Sequence, residues 1–218
     1  MSTTVLVDAG GANLGSVRYA LERLGADVQV SADPGEIARA ARVILPGVGA
    51  AASGMARLRE RHLVEVLRDL PQPLLGICLG MQLLYERSEE GGVECLGMMP
   101  GTVRKLAARG ARASDDGVDS TGMATANSRA VRVPHMGWNS LRLRRSDPLL
   151  DGIEDGAQVY FVHSYAAPVD AHTLATCDHG DTFAAVVRSG NRWGAQFHPE
   201  RSSAVGTRLL ANFLAMSA

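Results

Sequence analysis

The chain has 218 residues, with 22 basic against 23 acidic side chains and 46% hydrophobic residues. This length suffices for one domain with a substantial core. The near-zero net charge argues against nucleic acid and against a charged membrane surface as partners. No apolar run is long enough to span a bilayer, and the N-terminus lacks the charged and apolar regions of a signal sequence.

Cysteine and histidine usage narrows the cellular setting and the chemistry. The three cysteines, Cys78, Cys95 and Cys177, form neither an even disulfide framework nor a paired metal spacing. The six histidines are scattered, without the spacing of a zinc site. We therefore expect a reduced, cytoplasmic protein without zinc.

The first third of the chain alternates short apolar runs with helical patterns. Strands are predicted at 4–8, 27–30 and 42–45, and helices at 14–24, from Pro34 after a cap at Asp33, and at 53–70. The glycine-rich turn at 10–15 does not fit G-x-G-x-x-G, so nucleotide binding is disfavoured there. The turn at 46–49, Pro-Gly-Val-Gly, leaves the end of a predicted strand, where ligand sites of open α/β sheets form.

The stretch 73–84 carries the strongest chemical signal. An apolar run enters Gly76, Cys78 and Gly80, and an apolar segment follows, which we interpret as a strand turning sharply into a helix that runs to about Tyr85. The spacing matches the nucleophile elbow of serine hydrolases with cysteine in place of serine. A helix N-terminus favours the thiolate over the thiol. A buried structural cysteine is the alternative reading.

The second half of the chain is rich in strands. After a solvated break at 86–92, strands are predicted at 101–106, 158–165, 174–176, 183–187 and 193–197, with a hairpin turn at 188–191 and a final helix at 203–216. Residues 107–130 contain almost no large apolar side chain, and we expect a mobile insertion without assigned function. Strands after an alternating strand–helix pattern suggest a parallel sheet extended by antiparallel strands.

A base for the cysteine is predicted near the end of the chain. His198 and Glu200 flank a proline, and an extended segment can aim both side chains the same way. A thiol nucleophile needs such a base, and the base needs a third group to orient it. His163 competes as base, but no Pro-Glu follows it.

Five motifs carry a resemblance to a known family. The stretches G-I-C-L-G-M-Q and Q-F-H-P-E resemble those of the class I, triad-type glutamine amidotransferases. Residues 8–14, 46–49 and 134–139 resemble D-Y-G-x-G-N-L, P-G-V-G and P-H-M-G-W-N of the glutaminase subunits of imidazole glycerol phosphate synthases. The similarity covers almost the whole chain except about 107–130.

The resemblance implies a fold and a reaction. The fold is a single glutamine amidotransferase domain over 1–218 with a flavodoxin-like open mixed sheet, a parallel centre, an antiparallel extension and helices on both faces. Glutamine would be hydrolysed through a thioester on Cys78, with His198 and Glu200 completing the triad. Neither metal nor organic cofactor is implied. The remaining site residues are Val48 and Leu79 as oxyanion donors, and Gly49, Gln82, Ser164 and Tyr165 as substrate contacts.

The resemblance also implies a partner. Ammonia would pass through a tunnel to a (β/α)₈ cyclase subunit, which forms imidazole glycerol phosphate and an aminoimidazole carboxamide ribotide in histidine biosynthesis. Residues expected at this heterodimer interface are Asn13, His135, Trp138 and Arg201. Ala9, Ala12 and Arg201 stand where the family usually has tyrosine, glycine and lysine. A guanidinium pairs differently from an ammonium across an interface.

Three other functions stay open from the sequence. The chain could serve another synthase, such as that for pyridoxal phosphate or anthranilate. It could hydrolyse γ-glutamyl compounds or small peptides alone. A catalytically silent interaction subunit is the third, although such a chain typically lacks a triad member, and all three are present here.

Overall fold

The structure is a computed structural model that describes residues 3–10, 14–107 and 131–216. Its strands are β1 (Thr4–Val7), β2 (Val28–Ser31), β3 (Arg42–Gly47), β4 (Leu74–Cys78), β5 (Tyr85–Ser88), β6 (Val93–Glu94), β7 (Met99–Lys105), β8 (His135–Ser140), β9 (Arg142–Leu143), β10 (Gln158–His163), β11 (Tyr165–Ala166), β12 (Thr173–His179), β13 (Asp181–Ser189) and β14 (Arg192–Ala195). Its α-helices are α1 (Leu14–Glu22), α2 (Pro34–Arg39), α3 (Ala51–Glu60), α4 (Leu63–Arg68), α5 (Leu79–Gln82) and α6 (Ser203–Leu214). Short 3₁₀ helices cover Pro148–Leu150 and Pro199–Arg201.

Eight strands form the central sheet, in the order β2-β1-β3-β4-β14-β13-β12-β9. The pairs from β2 to β14 are parallel, and those from β14 to β9 are antiparallel. The predicted parallel centre with an antiparallel extension is therefore confirmed. Beside it, β10 pairs with β8, and β11, β7, β5 and β6 form a third sheet.

The helices cover both faces of this sheet, because successive side chains of its strands point to opposite sides. On β3, Ile44 packs into a core with α1 and α6, whereas Val43 and Leu45 pack into a second core with α2 to α5. Helix α6 buries one face in the first core, through Leu209, Leu210 and Phe213. Because β2, β1, β3, β4 and β14 are parallel, their carboxyl ends lie at one edge of the sheet.

Local chemistry explains the start of α2. The Asp33 carboxylate accepts a hydrogen bond of 2.8 Å from the Glu36 N–H, which satisfies one of the unpaired donors of the first turn. Pro34 occupies the first turn, where a missing N–H costs nothing. This cap and the bounds of most strands confirm the prediction.

Two helix predictions were wrong. The helix expected over 53–70 is two helices, because His62 adopts a left-handed conformation, with φ at 57°, between α3 and α4. The helix expected to run to about Tyr85 ends at Gln82. Tyr85 is fully buried and is the first residue of β5. Part of the expected solvated break at 86–92 thus belongs to a strand that pairs with β6 and β7. The predicted insertion at 107–130 lies outside the described residues, apart from residue 107.

Within the described ranges, no helix is both long and apolar enough to cross a membrane.

Candidate active site

Cys78 lies at the sharp turn between β4 and α5. Its backbone has φ 53° and ψ −111°, a conformation that costs a non-glycine residue energy and persists only where its surroundings enforce it. A Cβ on Gly80 would lie 1.8 Å from the Leu45 carbonyl oxygen, and one on Gly76 would lie 2.7 Å from Gly80 backbone atoms. Only glycine therefore lets β4, α5 and β3 approach closely enough to form this turn.

The neighbouring strand delivers the histidine. Strand β14 runs parallel to β4, with Ala195 opposite Ile77, so the segments that follow both strands leave the same edge of the sheet. His198 comes three residues after β14, and Glu200 follows in the 3₁₀ helix at Pro199–Arg201. His198 Nδ1 lies 2.9 Å from Glu200 Oε1, and both side chains are at least nine-tenths buried. The carboxylate thus fixes the ring and leaves Nε2 for the thiol.

The electrostatics favour a charged histidine. Burial lowers the pKa of His198, but the hydrogen bonds and charges of Cys78 and Glu200 outweigh burial and raise the pKa to about 10. The imidazole is therefore held as imidazolium at neutral pH when Cys78 is a thiolate. Thiol, imidazole and carboxylate in this order can carry out nucleophilic acyl transfer and donate a proton to a leaving amine.

A cavity of about 160 Å³ opens onto the cysteine and histidine. Its lining combines Cys78 and His198 with the loop after β3, the start of α5 and the segment from β10 to β11: Val48, Gly49, Leu79, Gln82, Glu90, Val162, His163, Ser164 and Tyr165. All predicted substrate and oxyanion residues therefore lie at one cavity. Leu79 is the first residue of α5, so its N–H has no acceptor within the helix.

The Gln82 amide is tied into the wall of the cavity. Its Nε2 donates to the Tyr165 carbonyl at 2.8 Å and to Gln196 Oε1 at 3.0 Å. These bonds use both amide hydrogens, so a ligand can meet Gln82 only at its carbonyl oxygen. The sequence motif led us to expect a substrate contact here, and the geometry restricts that contact to an acceptor.

Two polar residues at the site escaped the sequence reasoning. Gln196 is fully buried, and its Nε2 lies 3.8 Å from Cys78 Sγ. Glu90 lines the cavity while its Oε2 accepts a hydrogen bond of 2.9 Å from the Ala51 N–H. Gln196 belongs to the motif Q-F-H-P-E, so its place two residues before His198 was the signal available in the sequence. Glu90 sits in the acidic stretch that we interpreted as a solvated break.

His163, the competing base, has both ring nitrogens engaged. Its Nδ1 lies 2.9 Å from the Tyr165 carbonyl, and its Nε2 lies 3.0 Å from His135 Nδ1. Burial is the main cause that lowers its pKa to about 4. The ring is therefore neutral and fully bonded, which suits a structural role better than that of a base.

The residues expected at a partner interface differ in how much of each is exposed to solvent. Trp138 is 53% exposed, and Arg201 is exposed. The His135 side chain is only 3% exposed and bonds inward to His163, so its ring is not available on the surface of this chain. Asn13 lies outside the described residues.

Among the described residues, no group of three or more His, Cys, Asp or Glu side chains could hold a metal ion. Cys95 and Cys177 are buried and lie away from the cavity, and burial raises their pKa values to about 11 and about 12. Cys78 thus differs from both in its surroundings.

Comparison with known proteins gives one family. The model of the class-I glutamine amidotransferase family matches residues 5–216. A chain from Xanthomonas axonopodis pv. citri, named imidazole glycerol phosphate synthase subunit HisH, is 55% identical over all of this chain and 99% of its own length. The subunit of the same name from Xylella fastidiosa strain Temecula1 is 52% identical over the full length of both chains.

Solved structures share the fold at low sequence identity. A crystal structure described as a glutamine amidotransferase has a TM-score of 0.67 at 20% identity, covering 98% of this chain and 97% of the other. The glutaminase domain of Trypanosoma brucei CTPS, with bound acivicin, has a TM-score of 0.62 at 15% identity, covering 100% and 96%. These similarities support the predicted mixed α/β fold with helices on both faces.

Proposed function

Since the chain belongs to the class I glutamine amidotransferase family, we propose that it hydrolyses glutamine to glutamate and ammonia at Cys78 and supplies the ammonia to imidazole glycerol phosphate synthase. One observation carries this proposal: adjacent parallel strands bring the sulfur of Cys78 and the His198–Glu200 pair to one cavity. Relatives 52–56% identical over essentially their full length are named as subunits of imidazole glycerol phosphate synthase, which supports the choice of this synthase. Histidine biosynthesis is the pathway that the family resemblance implies.

The first half of the reaction forms a thioester. The Cys78 thiolate attacks the side-chain carboxamide carbon of glutamine, and the carbonyl oxygen gains the negative charge. The N–H groups of Val48 and Leu79 are our candidates for stabilising this oxyanion, a role in which one lost donor costs about 10²–10³ in rate. The His198 imidazolium gives its proton to the leaving nitrogen, and ammonia departs as the carbonyl re-forms.

The second half regenerates the enzyme. His198 is now neutral and removes a proton from a water molecule, which attacks the γ-glutamyl thioester carbon. The tetrahedral intermediate collapses, the sulfur leaves as thiolate, and glutamate is released. Glu200 holds the ring through Nδ1 in both halves, so the same Nε2 gives and takes the proton.

We assign recognition of the α-amino end of glutamine to cavity residues other than Cys78 and His198. Ser164 and Tyr165 are our candidates for backbone contacts to the α-amino and α-carboxylate groups, although not through the Tyr165 carbonyl, which His163 and Gln82 already occupy. Gly49 lines the same cavity and offers a further backbone contact. Glu90 is the carboxylate among the lining residues, and a carboxylate suits an α-ammonium. The Gln82 oxygen adds an acceptor.

The partner is a cyclase subunit, in a heterodimer. The printed name of the relatives describes one subunit of a synthase, which supports a second chain. On β8, Met136 and Trp138 are 63% and 53% exposed, an unusual position for large apolar side chains. Together with Arg201 they are our candidates for the docking face. Three buried free cysteines agree with a reducing compartment such as the cytoplasm.

A reconstitution tests the assignment. The purified chain is mixed with the cyclase subunit, and glutamate release is measured with and without the ribotide ligand of the cyclase. Cys78→Ala should abolish glutamate release while ammonia-dependent synthesis by the complex continues; Cys95→Ala, away from the cavity, should keep both. Glutamine hydrolysis by Cys78→Ala would refute the proposal. Activation by a different synthase, and none by this cyclase, would refute the choice of partner.

A further inference from the structure

A continuous series of hydrogen bonds leads from strand β8 to the sulfur of Cys78. It begins at Asn139 and passes through two buried histidines, His135 and His163. It then reaches the Tyr165 carbonyl, and from there it continues through the two amides Gln82 and Gln196 to Cys78 Sγ. We call the five side chains Asn139, His135, His163, Gln82 and Gln196 the relay.

The direction of each bond at the β8 end is fixed by its neighbours. Asn139 Oδ1 accepts from the Ser140 N–H at 2.8 Å, and Asn139 Nδ2 donates to the Asp178 carbonyl at 2.9 Å, which sets the amide orientation. The second hydrogen of Nδ2 therefore points to His135 Nε2 at 3.2 Å. A neutral imidazole with an accepting Nε2 must carry its proton on Nδ1.

The same logic passes through both histidines. His135 Nδ1–H donates to His163 Nε2 at 3.0 Å, so the proton of His163 lies on Nδ1 and is donated to the Tyr165 carbonyl at 2.9 Å. The Tyr165 carbonyl can only accept a hydrogen bond, so this end of the series independently requires a proton on His163 Nδ1. Burial lowers the pKa of His135 to about 3 and of His163 to about 4, so both rings are neutral, as this arrangement requires.

The directions of the hydrogen bonds at the cavity end of the relay are fixed in the same way. The Tyr165 carbonyl has two lone pairs, of which one takes the His163 proton and the other takes Gln82 Nε2–H at 2.8 Å. The second Gln82 hydrogen goes to Gln196 Oε1, so Gln196 Nε2 faces the sulfur at 3.8 Å. With these orientations every bond in the series has one donor and one acceptor.

We propose that the relay positions the substrate wall and the nucleophile, and that it couples both to strand β8. Because side chains alternate along a strand, His135 and Asn139 point inward while Met136 and Trp138 lie exposed on the other face. The inference rests on the proposed function, since the relay positions groups of the same glutamine site.

Three variants test the positioning role in the complex with the cyclase subunit and its ribotide. His135→Phe keeps a ring stacked on Phe161 and His179 but removes both hydrogen bonds, and KM for glutamine should rise about tenfold, with a smaller change in kcat. His135→Asn restores a donor towards His163 and should return KM to within about threefold of the unmodified value. His179→Phe is the matched control, since His179 stacks on His135 but lies outside the relay, and KM should stay unchanged.

A spectroscopic measurement on the unmodified chain decides the relay independently. Long-range ¹H–¹⁵N correlation spectra should find His135 and His163 as neutral Nδ1–H tautomers, the form that free histidine disfavours. An Nε2–H tautomer at either ring would overturn the proposal, as would an unchanged KM in a folded His135→Phe variant. If the unmodified complex releases no glutamate, the proposed function fails, and the tautomers still decide whether the relay exists.

Discussion

The substitution Gly80→Ala should disable the site without removing any chemical group from it. An added Cβ would lie 1.8 Å from the Leu45 carbonyl oxygen and 2.8 Å from the Leu45 carbonyl carbon. Carbon–oxygen contacts of this kind normally lie beyond about 3 Å, so the first turn of α5 must move away from β3 by more than about 1 Å. Backbone atoms on both sides prevent a side-chain rotation from relieving the contact.

The displacement falls on the catalytic geometry. Leu79 N–H and Cys78 lie directly before Gly80, and both should move with the turn. A misplacement of about 1 Å costs on the order of 10² in rate, and loss of one oxyanion donor costs about 10²–10³. We therefore expect kcat for glutamine hydrolysis to fall at least about 100-fold. Overpacking should also lower the free energy of unfolding by about 1–3 kcal/mol.

The assay is glutamate release by the complex, with thermal unfolding of the lone chain measured in parallel. Gly15→Ala is the matched control, because its Cβ would meet only Tyr19 Cε2 at 3.8 Å within α1. That variant should keep its rate and gain up to about 1 kcal/mol in stability, since alanine is the better helix former. A folded Gly80→Ala variant with unchanged kcat would refute the reasoning about the turn.

Three further substitutions test other parts of the account. Glu200→Gln keeps an oxygen that can accept from His198 Nδ1 but removes the negative charge that helps to raise the pKa of His198. The alkaline limb of the kcat/KM profile, expected near pH 10, should therefore move to lower pH; an unmoved limb would argue against this pairing. Glu90→Gln should raise KM for glutamine about tenfold with little change in kcat if the carboxylate binds the α-ammonium, and an unchanged KM would exclude that contact. Asp33→Ala should lower the free energy of unfolding by about 1 kcal/mol, measured by urea titration, and leave hydrolysis unaffected, because the cap lies away from the cavity; equal stability would contradict the capping role.

The features predicted successfully from the sequence depend on short-range rules. Alternating apolar runs and turn residues indicated the strands of the central sheet except the two-residue edge strand β9, and Asp33–Pro34 indicated the start of α2. Cys78 could be singled out because its flanking glycines are required by the close backbone approach in the turn. The pairing of His198 with Glu200 followed from their spacing around a proline.

The features that were missed depend on contacts between distant segments. The break between α3 and α4 lies at the left-handed backbone of His62, where the sequence carries no glycine to signal it. The early end of α5 goes with the pairing of β5 with β7, a contact that no local pattern records. Gln196 gains its position from Gln82, 114 residues earlier in the chain, and from the sulfur beside it. His135 could be read as an interface residue from its motif, yet its ring is buried against His163. The motif at 134–139 thus mixes a residue that stabilises the fold, His135, with an exposed one, Trp138, and the sequence does not separate the two.

The most direct test of the central claim is to identify the sulfur that reacts with substrate. The complex is incubated with its ribotide and a glutamine analogue that carries an electrophilic side chain, and the chain is mapped by peptide mass spectrometry. We predict one adduct, on Cys78, that excess glutamine prevents, because burial keeps Cys95 and Cys177 protonated and raises their pKa values to about 11 and about 12. Glutamine-protected labelling at either of these two cysteines, with Cys78 unmodified in an active complex, would contradict the account.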